Sequence, residues 1–322
     1  MIAKSTPMQL FVLALLLAAT ICNGTGRPTG FPPRRFLEKK FADIDGKKMA
    51  YVEVGTGDPI VFLHGNPTSS FLWRNVMPHL EGRGRLIAPD LIGMGDSDKL
   101  DNSNKYRYTF LEHSNYLYRL FEIIGVKERV TFVIHDWGTA LGFHWAYLNR
   151  KNPNSVKGIA FFEGVVSTFE RYGDFPEEIE SFFRALRSPA GEQLVLEDNA
   201  FVEDLIPSAI LRNLTKPEFD EYRRPFLKAG EDRRPMLTWP RQVPIEGEPA
   251  EVVAIVKKYS KWLARSELPK LFIDGKPGLI SPSMRAVVKK WKNTEMAAVK
   301  GIHYLQEDSP TEIGKAIAKW LP

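Results

Sequence analysis

Residues 130–134 are an apolar run, residues 139–147 a helical stretch rich in small side chains, and only His135-Asp136-Trp137-Gly138 stands between them. A strand that passes into a helix through so short a link must turn sharply, and here the turn carries a carboxylate. The same grammar repeats along the chain. Apolar runs at residues 49–54, 60–63, 86–88, 156–162, 271–274 and 296–299 alternate with amphipathic helical stretches. Such alternation predicts a mostly parallel sheet wrapped by helices.

Between about residues 165 and 244 the alternation stops. The text there is rich in Glu, Arg and Phe and is punctuated by Pro176, Pro189, Pro207, Pro217, Pro225, Pro235, Pro240 and Pro244. It reads as a helical cap inserted after the strand that Glu163 closes. The chain then divides into a leader (1–24), a first core part (25–164), the cap (165–244) and a second core part (245–322). No repeat or low-complexity tract is present.

Residues 5–26 hold no charge, follow Lys4, and contain a continuously apolar stretch at 10–19 with small residues after it. This pattern reads as a secretory signal peptide. A membrane anchor is the alternative, although the stretch is shorter than the ~20 residues a spanning helix needs; with the leader cleaved, the mature protein is expected in the secretory lumen or outside the cell, free of the membrane. The single cysteine, Cys22, lies in this leader, leaving the exported chain to rely on its core rather than on disulfides. Asn213-Leu214-Thr215 and Asn23-Gly24-Thr25 are glycosylation sequons, in keeping with a glycoprotein. The remaining composition, 43% hydrophobic and 26% charged in 322 residues, is that of a soluble enzyme. The formal charge of +5 is scattered in pairs such as Lys39-Lys40 and Arg233-Arg234, which describes a solvated surface and no nucleic-acid partner.

The chemistry begins at Asp136. Its position is that of the nucleophile in α/β hydrolases. A serine there suits attack on an acyl carbon; an aspartate can displace a leaving group from saturated carbon and become an alkyl ester. Helix N-terminal N–H groups would favour its anionic form, and Gly138 and Gly142 leave room for the turn. The plainer alternative is an aspartate that only caps the helix. His64-Gly65-Asn66-Pro67 follows the run at 60–63, where such enzymes place an oxyanion-hole N–H, and Asn66 could donate from backbone and side chain alike. Of six histidines, only His303 lies beyond the cap, in the chain order expected of a general base. Its carboxylate partner is expected to be Glu163, because the loop Gly275-Lys276-Pro277-Gly278 has glycine where an acid often stands; Asp274 is the second choice. Trp137 either fills the core or offers an indole N–H, which with the Asn66 amide could clamp a departing halide.

On these residues the chain resembles the haloalkane dehalogenases, in the subgroup that includes the Renilla-type coelenterazine luciferases. The resemblance runs from about Phe41 to Pro322 and is densest at HGNPTSSFLWR (64–74), APDLIGMGDS (88–97), IHDWGTALGFHW (134–145) and HYLQEDSP (303–310). It implies an α/β-hydrolase fold: a mostly parallel eight-stranded sheet flanked by helices, with an inserted helical cap. It further implies Asp136 as nucleophile, His303 as base, Glu163 as catalytic acid, and Asn66 with Trp137 as the halide-stabilising pair. Phe183, Phe201, Trp239, Pro240, Leu279 and Ile280 are implied as cavity lining. The reaction so implied consumes a haloalkane, releases halide, alcohol and a proton, and uses neither metal nor organic cofactor.

Thr238-Trp239-Pro240 is similar to the luciferases, whereas Thr139 to Gly142 and Tyr304-Leu305-Gln306 are similar to the dehalogenases. A coelenterazine-using monooxygenase is therefore the alternative activity. Epoxide hydrolysis is a further one, with Tyr172 and Tyr222 available in the cap to protonate an opening oxygen, although the polar Asn66 favours halide. A non-catalytic binding protein on this fold would be free to lose a catalytic residue, and none is lost. The sequence leaves the oligomeric state open.

Overall fold

In the computed structural model residues 34–174 and 177–322 are described. The leader, Cys22, the Asn23 sequon and Pro176 lie outside the described residues.

Eight strands form one sheet in the order β1-β2-β4-β3-β5-β6-β7-β8. They are β1 (Lys39–Ile44), β2 (Lys47–Val54), β3 (Pro59–Leu63), β4 (Arg85–Pro89), β5 (Val130–Asp136), β6 (Val156–Gly164), β7 (Lys270–Pro277) and β8 (Thr294–Gly301). β2 runs antiparallel to β1 and β4, and all other neighbours are parallel. β1 has no counterpart among the apolar runs of the sequence. Only Ala42 and Ile44 of its six residues are buried, and it is held by a two-residue turn in which Asp45 and Gly46 take φ of 53° and 79°, the positive-φ pair that tight hairpins need.

Alternation along the inner strands sorts their side chains into two cores, one on each face. Ile60, Phe62, Leu86, Ala88, Val133, Ala160 and Phe162 pack with Trp73, Met77, Leu80, Ile313 and Ile317. Val61, Leu63, Ile87, Phe132, Ile134, Ile159 and Phe161 meet Leu117, Phe121, Phe143, Val256 and Tyr259 on the other side. Every residue of β3 is buried, as expected of a central parallel strand covered on both faces.

The chain leaves the sheet at Gly164. It forms helices Glu177–Arg187, Lys216–Arg223 and Arg234–Arg241 with shorter helical turns between them, then returns through helix Ala250–Arg265 to β7. That last helix packs on helix Trp137–Leu148. The strand ends β3, β5 and β6 open beneath the intervening helices, so side chains at these ends face a roofed space.

Candidate active site

Asp136 ends β5 and precedes helix Trp137–Leu148 with φ 50° and ψ −127°, a conformation that costs a non-glycine residue of order 1–3 kcal/mol. The turn is possible because neighbouring side chains are missing. A Cβ on Gly138 would run into the Leu63 and His64 carbonyls, and one on Gly65 would fall inside the Asp136 carboxylate. The Asp136 side chain does not cap the helix; its backbone carbonyl accepts from the Thr139 hydroxyl at 2.6 Å. The carboxylate instead faces the roofed space, with Oδ1 accepting the Asn66 backbone N–H at 2.7 Å.

His303 follows β8. Its Nε2 lies 3.7 Å from Asp136 Oδ2 and its Nδ1 lies 3.2 Å from Glu163 Oε2. Glu163, buried at the end of β6 with φ 45°, accepts the N–H groups of Leu279, Ile280 and Ser281 at 3.2, 2.8 and 2.8 Å. Ile280 and Ser281 supply free donors at the start of helix Ser281–Val288, the Leu279 N–H is shared with the Ile302 carbonyl at 2.7 Å, and together they fix the carboxylate's orientation. A Cβ on Gly278 would come within 3.1 Å of Glu163 Oε1, so the carboxylate from β6 reaches the loop where the sequence has glycine in place of an acid. Asp274 is turned elsewhere, paired with Arg285 and Lys276 at 2.7 Å each.

Burial pushes the Asp136 carboxyl above its ordinary range, against the opposing pull of His303 and of the Trp137 and Asn66 N–H groups. The helix terminus expected to favour the anion is thus present but outweighed by desolvation. Burial alone would depress His303; the hydrogen bond it donates to Glu163 and the charges of Asp136 and Glu163 more than reverse this and raise it. A carboxylate and a histidine held this way can serve as nucleophile and general base, respectively, in one enclosed space.

The space is a cavity of about 610 Å³. Asp136, Asn66, Trp137 and His303 lie at its floor, and Phe183, Phe201, Pro240, Leu279 and Ile280 line it. Asn66 Nδ2 donates one hydrogen to the Met236 carbonyl at 3.1 Å, leaving its second hydrogen for the cavity. Among the described residues no group of three or more His, Cys, Asp or Glu could hold a metal ion.

The α/β hydrolase fold family matches residues 58–310 of the chain. A haloalkane dehalogenase from Sphingobium indicum is 55% identical over 89% of this chain and 96% of its own length. The coelenterazine h 2-monooxygenase of Renilla reniformis is 44% identical over 81% of this chain and 83% of its own. Among solved structures, a haloalkane dehalogenase from Bradyrhizobium elkani superposes with a TM-score of 0.82 at 41% identity, covering 88% of this chain and 97% of that one. The chain belongs to the haloalkane dehalogenase family. The α/β-hydrolase fold, with its eight-stranded and mostly parallel sheet, is the one the sequence implied.

One lining residue implied by the resemblance is corrected in this family member. Trp239 does not reach the cavity: it is fully buried behind Trp137, with ring centroids 4.6 Å apart and planes inclined at 24°. Its helix, Arg234–Arg241, offers Pro240 to the cavity and turns position 239 backwards. The cap tyrosines are also displaced from the chemistry. The Tyr222 hydroxyl donates to Glu307, Tyr172 accepts from Arg187 at 3.4 Å, and neither lines the cavity. Sequence reasoning missed Tyr304 and Phe182, which do. Tyr304, whose hydroxyl donates to the Asn66 carbonyl at 3.2 Å, stands next to His303 and could have been found from that adjacency; Phe182 carries no signal that separates it from any other cap aromatic.

Proposed function

We propose that the protein hydrolyses the carbon–halogen bond of a haloalkane through an alkyl ester on Asp136. The observation that carries this reading is the floor of the cavity, where a carboxylate, rather than a hydroxyl, stands 3.7 Å from His303 among Asn66, Trp137 and apolar walls. With Oδ1 held by the Asn66 N–H, Oδ2 attacks the carbon. The carbon–oxygen bond forms as the carbon–halogen bond breaks, and the halide leaves with the bonding pair toward the Asn66 amide and the Trp137 indole N–H. His303 then takes a proton from water, whose oxygen attacks the ester carbonyl. The oxyanion is met by the Asn66 and Trp137 backbone N–H groups. Its collapse releases the alcohol and restores the carboxylate, and His303 gives up the proton.

The test sets the protein beside its Asp136→Asn variant and measures halide release from 1-bromobutane and 1,2-dibromoethane. Release that vanishes in the variant supports the ester mechanism; release that survives refutes it.

A second reading is favoured by the 44% identity to the Renilla monooxygenase and by the aromatic upper cavity of Phe169, Phe182, Phe183 and Phe201. In it the cavity binds coelenterazine and admits oxygen. Photon counts with coelenterazine under air, in the absence of halide release, would select it. For the life history of the chain we propose export with removal of residues 1–24. Asn213 stands exposed ahead of helix Lys216–Arg223, where a glycan can be accommodated, and mass spectrometry of the protein secreted from a eukaryotic cell tests both points.

A further inference from the structure

Behind the halide-facing tryptophan lies a second and third ring. Trp239 stacks on Trp137, and His113 stacks on Trp239 with centroids 4.1 Å apart and planes inclined at 17°. All three are buried, at 3%, 0% and 1% exposure. The far ring is an unusual choice for a filler. Among the described residues, both nitrogens of His113 and the Trp239 indole nitrogen have no hydrogen-bond partner, and burial without a partner is costly for each. Burial also pushes His113 down to about 3, so it stacks as an uncharged ring.

The elements that supply the rings give the stack its meaning. His113 stands in the first turn of helix Phe110–Ile123. One turn earlier, Phe110 contacts Trp137 directly, with centroids 6.1 Å apart, so this helix supports the Trp137 indole both directly and through Trp239. Trp239 belongs to helix Arg234–Arg241, whose Met236 carbonyl holds Asn66 Nδ2 at 3.1 Å. Positions 236 and 239 are one helical turn apart and face the same way. One cap helix therefore touches both groups of the halide clamp, and His113 is the core residue stacked against it.

We propose that His113 is a positioning residue for the leaving-group site, acting through Trp239 to hold the Trp137 indole where it meets the departing halide. The proposal rests on the halide role given above to Trp137. Offset-stacked rings are worth about 0.5–1.5 kcal/mol beyond their buried area, and the geometry they fix is recovered by any flat ring of similar size. Loss of the ring should weaken halide binding, and loss of the nitrogens alone should not.

The experiment measures bromide dissociation constants for the full chain by quenching of tryptophan fluorescence, together with kcat/KM for 1-chlorobutane and 1-iodobutane. His113→Leu is expected to weaken bromide binding about fivefold to tenfold and to slow the chloride substrate more than the iodide one, because the poorer leaving group leans harder on the clamp. His113→Phe is expected to stay within about twofold of the parent on both readouts. A His113→Leu protein with a lowered melting temperature but unchanged bromide affinity and leaving-group ratio would be a mere core defect and overturns the proposal. If His113→Leu does not fold, Trp239→Phe, a smaller ring in the same slot, carries the test, and unchanged affinity there also overturns it. Trp137→Phe separates the two levels. If it keeps full bromide affinity, the halide role itself falls; if it loses affinity while the His113 variants keep theirs, only the positioning role does.

Discussion

Arg74 fastens three parts of the molecule together, and its removal should loosen all of them. It comes from the segment that follows Asn66 and donates to Glu307 at 2.6 and 2.9 Å, to Glu218 at 2.8 Å and to the Phe71 carbonyl at 3.1 Å. Glu307 stands on the turn after His303 and Glu218 on cap helix Lys216–Arg223. Arg212 bonds to the same two carboxylates, so two guanidinium groups face two carboxylates in a buried cluster. Arg74→Met keeps the alkyl stem and removes one charge, leaving Glu307 and Glu218 to share Arg212.

Breaking a buried pair from one side costs about 3–5 kcal/mol, and with Arg212 still in place the lower end, about 3 kcal/mol, is expected. At roughly 2–4 °C per kcal/mol for a large domain, the melting temperature should fall by about 6–12 °C. Adding Glu307→Gln restores the balance of charge and should return part of that loss. Scanning calorimetry at pH 7 measures both variants. A fall of less than about 2 °C for Arg74→Met, or a double variant weaker than the single one, would refute the view that charge balance in this cluster holds the cap to the core.

Three further outcomes follow from the site. His303→Gln should stop turnover after the first step, and intact mass after exposure to 1-bromobutane should show a butyl adduct; an unmodified mass argues against Asp136 as nucleophile. Because His303 titrates above its ordinary 6.5 and must be neutral to act as base, kcat should be lost as pH falls through that raised value. Glu163→Gln removes the carboxylate charge that helps raise it, so the midpoint should move to lower pH while the rate drops by about 10²–10⁴; an unmoved midpoint breaks the pairing argument. Burial raises the Asp308 carboxyl to about 6. Its neutral form is thus favoured by folding, a contribution complete below its ordinary value and lost as pH rises through about 6. Asp308→Asn should flatten the stability curve over that window, measured by urea unfolding from about pH 4 to 7.

What could be read from the sequence divides by physical cause. The inner strands announce themselves because both faces are covered and their text is continuously apolar; β1 did not, since an edge strand with one buried face needs only Ala42 and Ile44. Asp136, Asn66 and His303 stood out because their spacing relative to strands and cap is that of a known chemistry. The direction of a side chain within a cap helix is set by tertiary packing, which is why Trp239 and Pro240, adjacent in the chain, ended on opposite sides of the cavity wall. The balance of charge on Asp136 was likewise beyond local reading. A helix start is visible in sequence, but the depth of desolvation around it is not.

Gly65 carries a consequence for descent. Nothing in its backbone angles demands glycine, since it is absent from the residues with positive φ; the requirement comes from the Asp136 side chain, whose Oδ1, Cβ and Cγ lie 2.0, 2.5 and 2.6 Å from where a Cβ at 65 would stand. Substitutions at 65 are thus coupled to the residue at 136 and harmful as long as any side chain stands there, since the Asp136 Cβ alone would lie 2.5 Å from the new Cβ. A lineage that gave up the ester chemistry would still be held to glycine at 65 for as long as position 136 kept a Cβ, so this glycine records the sharp turn at 136 rather than the carboxylate on it.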